Sequence, residues 1–356
     1  MIALFLAAAV SFPAPVHASI NLDDASGLKA FFDAAGVYAR SLSSAEVSHS
    51  LREQLAVDPL ALKSSTIVFS RRGIGMVAPM ETAKARAALL AWKRPNHLGL
   101  ALKGKLYTAS GRDAKALLKV LQHPKTLPAQ GPIGLWFALA APLKTATFTL
   151  QASAKGLNAT GTVTASKPLL QGPSPAPCPA GAMGCFVGGL GPAGHELLER
   201  MLRFGGDLTP RAQPPQGTRV ASRLDGLNVS ALADRASLPD ALLFALAFDA
   251  PGWPADAQCG TPRDVDVLTN PRCAPSSPLT GTTPGAQLSL DLSQVAGAFS
   301  RLTALDALKG EGAATGYGIG LIYGELLRHL GPLTMNAVPS QNDAAAAELK
   351  LQLPLH

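Results

Sequence analysis

Apolar residues recur three and four positions apart over residues 27–38, where Leu28, Phe31, Phe32 and Ala35 form one stripe behind Ser26, a natural cap. That spacing predicts an amphipathic helix. A second helix is expected over 44–55 and a third over 81–92, the latter ended by Arg94-Pro95-Asn96. Residues 112–122 give the clearest helix: Ala114, Leu117, Leu118 and Leu121 share one side, while Lys115, Lys119 and Gln122 line the other. Between these segments the period falls to two. Residues 66–70 and 74–78 flank Arg71-Arg72-Gly73, and 97–110 fold at Lys103-Gly104-Lys105, so both read as hairpins. Residues 135–139 read as a buried strand. Residues 145–151 and 157–164 alternate around Lys155-Gly156, with Thr145, Thr147, Thr149 and Gln151 on one face.

The second half is less regular. Helices are expected over 192–204, 293–308 and 321–330, and strands over 218–224, 241–249 and 286–292. Residues 251–285 read as a long loop, and a final hairpin spans 333–338 and 347–353. That hairpin echoes the first half: Ala141-Pro142-Leu143 and Gly331-Pro332-Leu333 open two similar segments 190 residues apart. Two copies of one unit account for the echo. Residues 166–182, with Lys-Pro, Gly-Pro-Ser-Pro-Ala-Pro and Pro-Ala-Gly, read as the linker between them.

Val57-Asp58-Pro59-Leu60, the hairpin after it, and Ala78-Pro79-Met80 running into the helix to Leu89 form one motif. Tyr107 to Leu118 repeats it. With these motifs the chain resembles uncharacterised bacterial exported proteins built from repeated hairpin-helix units, over most of residues 28–165 and more weakly over 190–356. The resemblance implies an α+β fold and brings no activity and no site residues. The fold class expected is α+β: two related lobes of antiparallel sheet with helices packed on one face, a signal peptide at 1–18, a first lobe at 19–165, the linker at 166–182 and a second lobe at 183–356.

The signal peptide rests on a short apolar run, residues 2–10, followed by Val16-His17-Ala18, whose small residues match a cleavage pattern. The run is too short to span a bilayer, which takes about 20 apolar residues. It lacks the usual basic start, and a retained N-terminal anchor is the other reading. The chain is thus expected to be exported, with no transmembrane segment after the signal peptide. An oxidising compartment favours disulfides for an even cysteine count. The spacings Cys178-x6-Cys185 and Cys259-x13-Cys273 do not fit the close pairs of structural zinc sites. Local pairing within each is expected.

Charge separates the halves. Residues 19–170 hold 19 Lys/Arg against 8 Asp/Glu, and residues 171–356 hold 12 against 16, so the whole-chain charge of +7 divides into +11 and −4. The densest basic stretch runs from Lys84 to Lys125, through Lys93, Arg94, Lys103, Lys105, Lys115 and Lys119, with Asp113 its single acid. Such a stretch suits an anionic lipid or envelope polymer. Nucleic acid fits poorly, because only Trp92 and Tyr107 interleave with the basic residues.

Catalytic signatures reduce to local structure. Gly316-Tyr-Gly318-Ile-Gly320 lacks the strand a dinucleotide loop follows, and His195-Glu196 lacks the second histidine of a zinc-protease helix. Ser26-Gly-Leu-Lys29 has none of the partner motifs of penicillin-recognising enzymes. Asp264, Asp266 and Asn270 lack the glycine and closing glutamate of a calcium loop. No catalytic residue, metal or cofactor is assigned. The sequence points to a non-enzymatic exported binding or structural protein. The competing readings are a carrier of a hydrophobic, lipid-like ligand between sheet and helices and, third, an enzyme with residues assembled from distant positions.

Overall fold

The computed structural model describes residues 16–92, 95–123, 132–171, 184–189, 191–194, 196–197, 219–227, 242–250, 253–260, 285–293 and 324–356. The chain divides into two units, Met1–Thr164 and Ala165–His356. Both are α+β, built on antiparallel sheet as the sequence pattern implies.

Among its described residues the first unit has eight strands: β1 (Ala18–Leu22), β2 (Ser65–Ser70), β3 (Gly73–Pro79), β4 (His97–Leu102), β5 (Lys105–Gly111), β6 (Ile133–Ala138), β7 (Leu143–Ser153) and β8 (Gly156–Ala165). Their order across the sheet is β8-β7-β6-β1-β2-β3-β5-β4. Its named helices are α1 (Ser26–Tyr38), α2 (Ser44–Leu55), α3 (Thr82–Ala91) and α4 (Ala114–Leu121). Helix α2 starts at Ser43, whose hydroxyl accepts from the Glu46 N–H. The cap expected at Ser26 is displaced: Ser26 is already helical, and its N–H donates to Asp24 at 2.9 Å. That bond holds the exposed Asp24 carboxyl below its ordinary range.

Strand alternation divides the side chains into two cores. On one face Ile20, Leu22, Ile67, Met76, Ala78, Leu106 and Ile133 pack against α1, α2 and α3. Leu55, Met76 and Leu106 are wholly buried there, each worth about 1.5–3 kcal/mol relative to exposure. Helix α4 instead lies on the opposite face, where Ala114, Leu117 and Leu121 cover Val68, Tyr107 and Ala109. The reason is its connection: it follows β5 after a two-residue corner, at the end of the sheet away from the β3–α3 link.

The second unit contains β9 (Gly184–Gly189), β10 (Arg219–Leu227), β11 (Leu242–Ala250), β12 (Trp253–Gly260), β13 (Ala286–Leu290), β14 (Leu333–Pro339) and β15 (Ala346–Pro354), in the order β15-β14-β13-β9-β10-β11-β12. The two units share a plan. In the first, β1 sits between β2 and β6; in the second, β9 sits between β10 and β13. Each central strand leads into helix, α1 in one and residues 192–197 in the other, among which 195 is not described. The strands of the closing hairpins start in step: Leu143 and Leu333 begin their first strands and Gly156 and Ala346 their second, 190 residues apart in both cases.

Three strands fall where none was expected. β1 occupies the cleavage-site segment, β9 is half glycine, and β12 lies inside the expected 251–285 loop. Strand β12 is the last in its order, where a proline such as Pro254 is tolerated. Within the expected linker, Leu170 is buried against Ala286, Ala337 and Ala347, and Gln171 N–H donates to the Gly189 carbonyl. Residues 169–171 therefore belong to the second unit's fold.

Candidate functional site

Basic side chains gather around α4. The 3.6-residue period that buries Leu117 and Leu121 turns Lys115 and Lys119 outward, one helical turn apart, and both are exposed. Lys105 opens β5 and shares its face with Tyr107 and Ala109, the residues beneath α4, so it lies on the same side of the sheet. Lys103 projects from the adjoining turn, in which Lys103 and Gly104 both have positive φ (50° and 68°). None of Lys103, Lys105, Arg112, Lys115 and Lys119 forms an ion pair with another described residue.

The sheet adds two residues that lie far away in sequence. Gly73 pairs with Gly111, and Gly111 lies against the Arg72 carbonyl. The exposed Arg71-Arg72 turn therefore comes to the same end of the sheet as Arg112 and the first turn of α4. The sequence signal was present, two adjacent arginines at a hairpin tip, but the partner of that tip was not readable from it. The remaining part of the basic stretch does not join this group. Lys84 and Arg86 are on α3, over the opposite face, and Lys84 pairs with Glu81 at 3.6 Å. Lys93, Arg94 and Lys125 lie outside the described residues.

A polar group sits beneath α4. His17 is buried at the beginning of β1, its N–H bonded to the Phe69 carbonyl and its carbonyl accepting from Ala138 N–H, both at 2.8 Å. Burial lowers its imidazole pKa from the ordinary 6.5, while the nearby Asp113 carboxylate opposes that shift. Ser19 pairs with Val68 and Trp136 across the strands and is fully buried. Serine, histidine and aspartate thus occur in one region, but the Ser19 hydroxyl has no hydrogen-bond partner among the described residues. A nucleophile needs its base within hydrogen-bond reach, and this arrangement does not supply one.

For the cysteines, the register is informative even though Cys178 and Cys273 lie outside the described residues. Cys185 pairs with Arg223, Arg223 with Ala245, and Ala245 with Cys259. Three strand spacings separate Cys185 from Cys259, roughly 14 Å, whereas a disulfide needs Cα atoms within about 7 Å. In this register Cys185 and Cys259 stand too far apart to bridge each other directly. Asp264, Asp266, Asn270, His195 and the Gly316–Gly320 turn lie outside the described residues. Among those described, no three His, Cys, Asp or Glu side chains form a group that could hold a metal ion, and no helix is long and apolar enough to cross a membrane.

Fold and charge together define an α+β protein of two like-built units, the first carrying a basic helix face. No family model matches the chain, and no curated protein matches it. Among solved structures it is similar to the one described as "Structure of crystal form IV of TP0453", with a TM-score of 0.27 and 9% identity, over 42% of this chain and 77% of that one.

Proposed function

We propose that this is an exported, non-enzymatic binding protein whose first unit adsorbs to an anionic envelope surface, lipid or polymer, through the outer face of α4 and the turns beside it. The observation that carries the reading is the Gly73–Gly111 register, which brings Arg71 and Arg72 to the end of the sheet that holds Arg112 and Lys115. Sequence alone offered scattered charges; the fold collects four at one corner, with Lys119 one helical turn beyond. Each basic residue close to an anionic membrane contributes about 1 kcal/mol, so five acting together give measurable adsorption at low salt. The attraction weakens as the Debye length shrinks from about 10 Å at 0.1 M to about 3 Å at 1 M salt.

Co-sedimentation of the full chain with vesicles tests this. Vesicles rich in phosphatidylglycerol should retain the protein at low salt and release it as salt rises, and pure phosphatidylcholine vesicles should not bind it. Reversing Arg71, Arg72, Lys115 and Lys119 to glutamate should abolish retention without lowering the melting temperature. Retention by neutral vesicles, insensitive to salt and unchanged in that variant, would instead favour the carrier of a hydrophobic ligand.

A further inference from the structure

We infer that the free edge of β4 is a docking site for an extended segment of a partner protein, apolar at alternate positions and acidic where it meets Lys103 and Lys105. Among the described residues, strand β4 closes the sheet order and pairs with β5 alone. Its turn has two residues, Lys103 and Gly104, both with positive φ, so Leu102 and Lys105 form the hydrogen-bonded pair of the hairpin. Alternation then assigns Leu100 and Leu98 to bonded pairs as well. The bond from Gly111 N–H to the Asn96 carbonyl, at 3.0 Å, has the same parity. His97, Gly99 and Ala101 therefore direct their N–H and C=O groups away from the sheet, as an open row of donors and acceptors.

Natural edges are usually blunted by a lysine, a proline or a bulge, and His97-Leu-Gly-Leu-Ala-Leu102 contains none of these. Its side chains favour an apolar guest. Leu98 and Leu102 are 41% and 44% exposed on the α4 side. On the other side Leu89 of α3 sits over Gly99, and its neighbour Leu90 is 67% exposed. The edge is held in place by Trp92, whose indole donates to the Glu53 carbonyl at 2.9 Å and whose ring meets His97 edge-on at 4.6 Å. Charge selects among guests. A second copy would bring one +11 half against another, whereas an acidic end is attracted by Lys103 and Lys105. The recognition mode is strand addition, in which backbone bonds supply affinity and alternate side chains supply choice.

Fluorescence anisotropy of the full-length protein with a labelled nonapeptide, valine alternating with threonine and two glutamates at one end, tests the inference. Saturable binding is expected. It should weaken at least tenfold in Ala101→Pro, which removes an outward N–H while sparing the β5 ladder, and equally when the peptide amides facing β4 are N-methylated. Leu98→Lys, at an exposed position, covers the case in which the proline variant does not fold. Replacing the glutamates by lysines should also weaken binding, and the Arg71/Arg72/Lys115/Lys119 glutamate variant should bind as the parent does, which separates this site from the anionic-surface reading. No binding, undiminished binding of the N-methylated peptide, or concentration-dependent pairing of the protein through β4 in its place would overturn it.

Discussion

At the scale of single residues, two glycines show how position decides cost. Gly104 has φ +68°, and a Cβ there would meet nothing within 4 Å, so Gly104→Ala should cost only the left-handed backbone penalty, about 1–2 kcal/mol. Gly111 has φ +93°, and a Cβ would overlap the Arg72 carbonyl oxygen. Gly111→Ala should therefore cost clearly more, because β3 must yield as well; urea denaturation of the two variants makes the comparison. His17 yields a pH prediction. Its folded pKa lies below the ordinary 6.5 because burial disfavours the charged ring. The unfolded chain thus binds the extra proton first. The contribution of neutral His17 is complete above about pH 6.5 and is lost as pH falls towards the lowered folded value. In a chain that retains residue 17, the urea midpoint should fall between pH 7 and pH 5, and His17→Gln should reduce that fall. An identical pH dependence in the variant would show that His17 is not the group concerned.

Among the elements, β1 is the one that lies at the expected cleavage site. It has a partner on each side, and Val16, just before it, is 8% exposed in the core beneath α4. Processing after Ala18 would remove Val16, His17 and the two backbone bonds that His17 makes. A chain beginning at Ser19 should melt at a lower temperature than one beginning at Val16. The lost side chain alone represents about 1.5–3 kcal/mol, at roughly 2–4 °C per kcal/mol for a domain of this size. Scanning calorimetry of the two forms measures the difference, and mass spectrometry of the protein from its native source, for which Ser19 is the expected first residue, identifies the natural form. Equal melting temperatures would mean that residues 16–18 contribute nothing to the fold. Helices α1 and α4 and the hairpins were readable because each carries its own period, and α3 because it is rich in alanine and ends before Arg94-Pro95-Asn96. Leu117 and Leu121 against Lys115 and Lys119 mark α4 on any reading. β1 was not readable as a strand, because Ala-Ser-Ile-Asn-Leu is ordinary until β2 and β6 close on it.

On the scale of the whole molecule, the expected disulfides give a test that joins sequence to topology. Local pairing of Cys178 with Cys185 and of Cys259 with Cys273 would staple two loops without crossing the sheet; non-reducing peptide mapping should find both. A Cys185–Cys259 peptide would contradict the row that runs through Arg223 and Ala245. The Pro-Leu segments lie 190 residues apart in sequence, and the strands that follow them start 190 residues apart as well. The rest of the likeness is topological: β1 lies between β2 and β6, and β9 between β10 and β13. Local period, turn residues and charge were determined by the sequence alone, because they depend on neighbours a few positions away. The sequence could thus specify α4 and its lysines, the hairpins, the α+β class and the excess of positive charge in the first half. The tertiary structure decided which face of the sheet α4 covers, that Arg71 and Arg72 join its first turn, and that Lys84 and Arg86 do not. It also decided that β4 is left at an edge. Each of these depends on pairing between residues tens of positions apart, and no local pattern encodes which strand will be the neighbour.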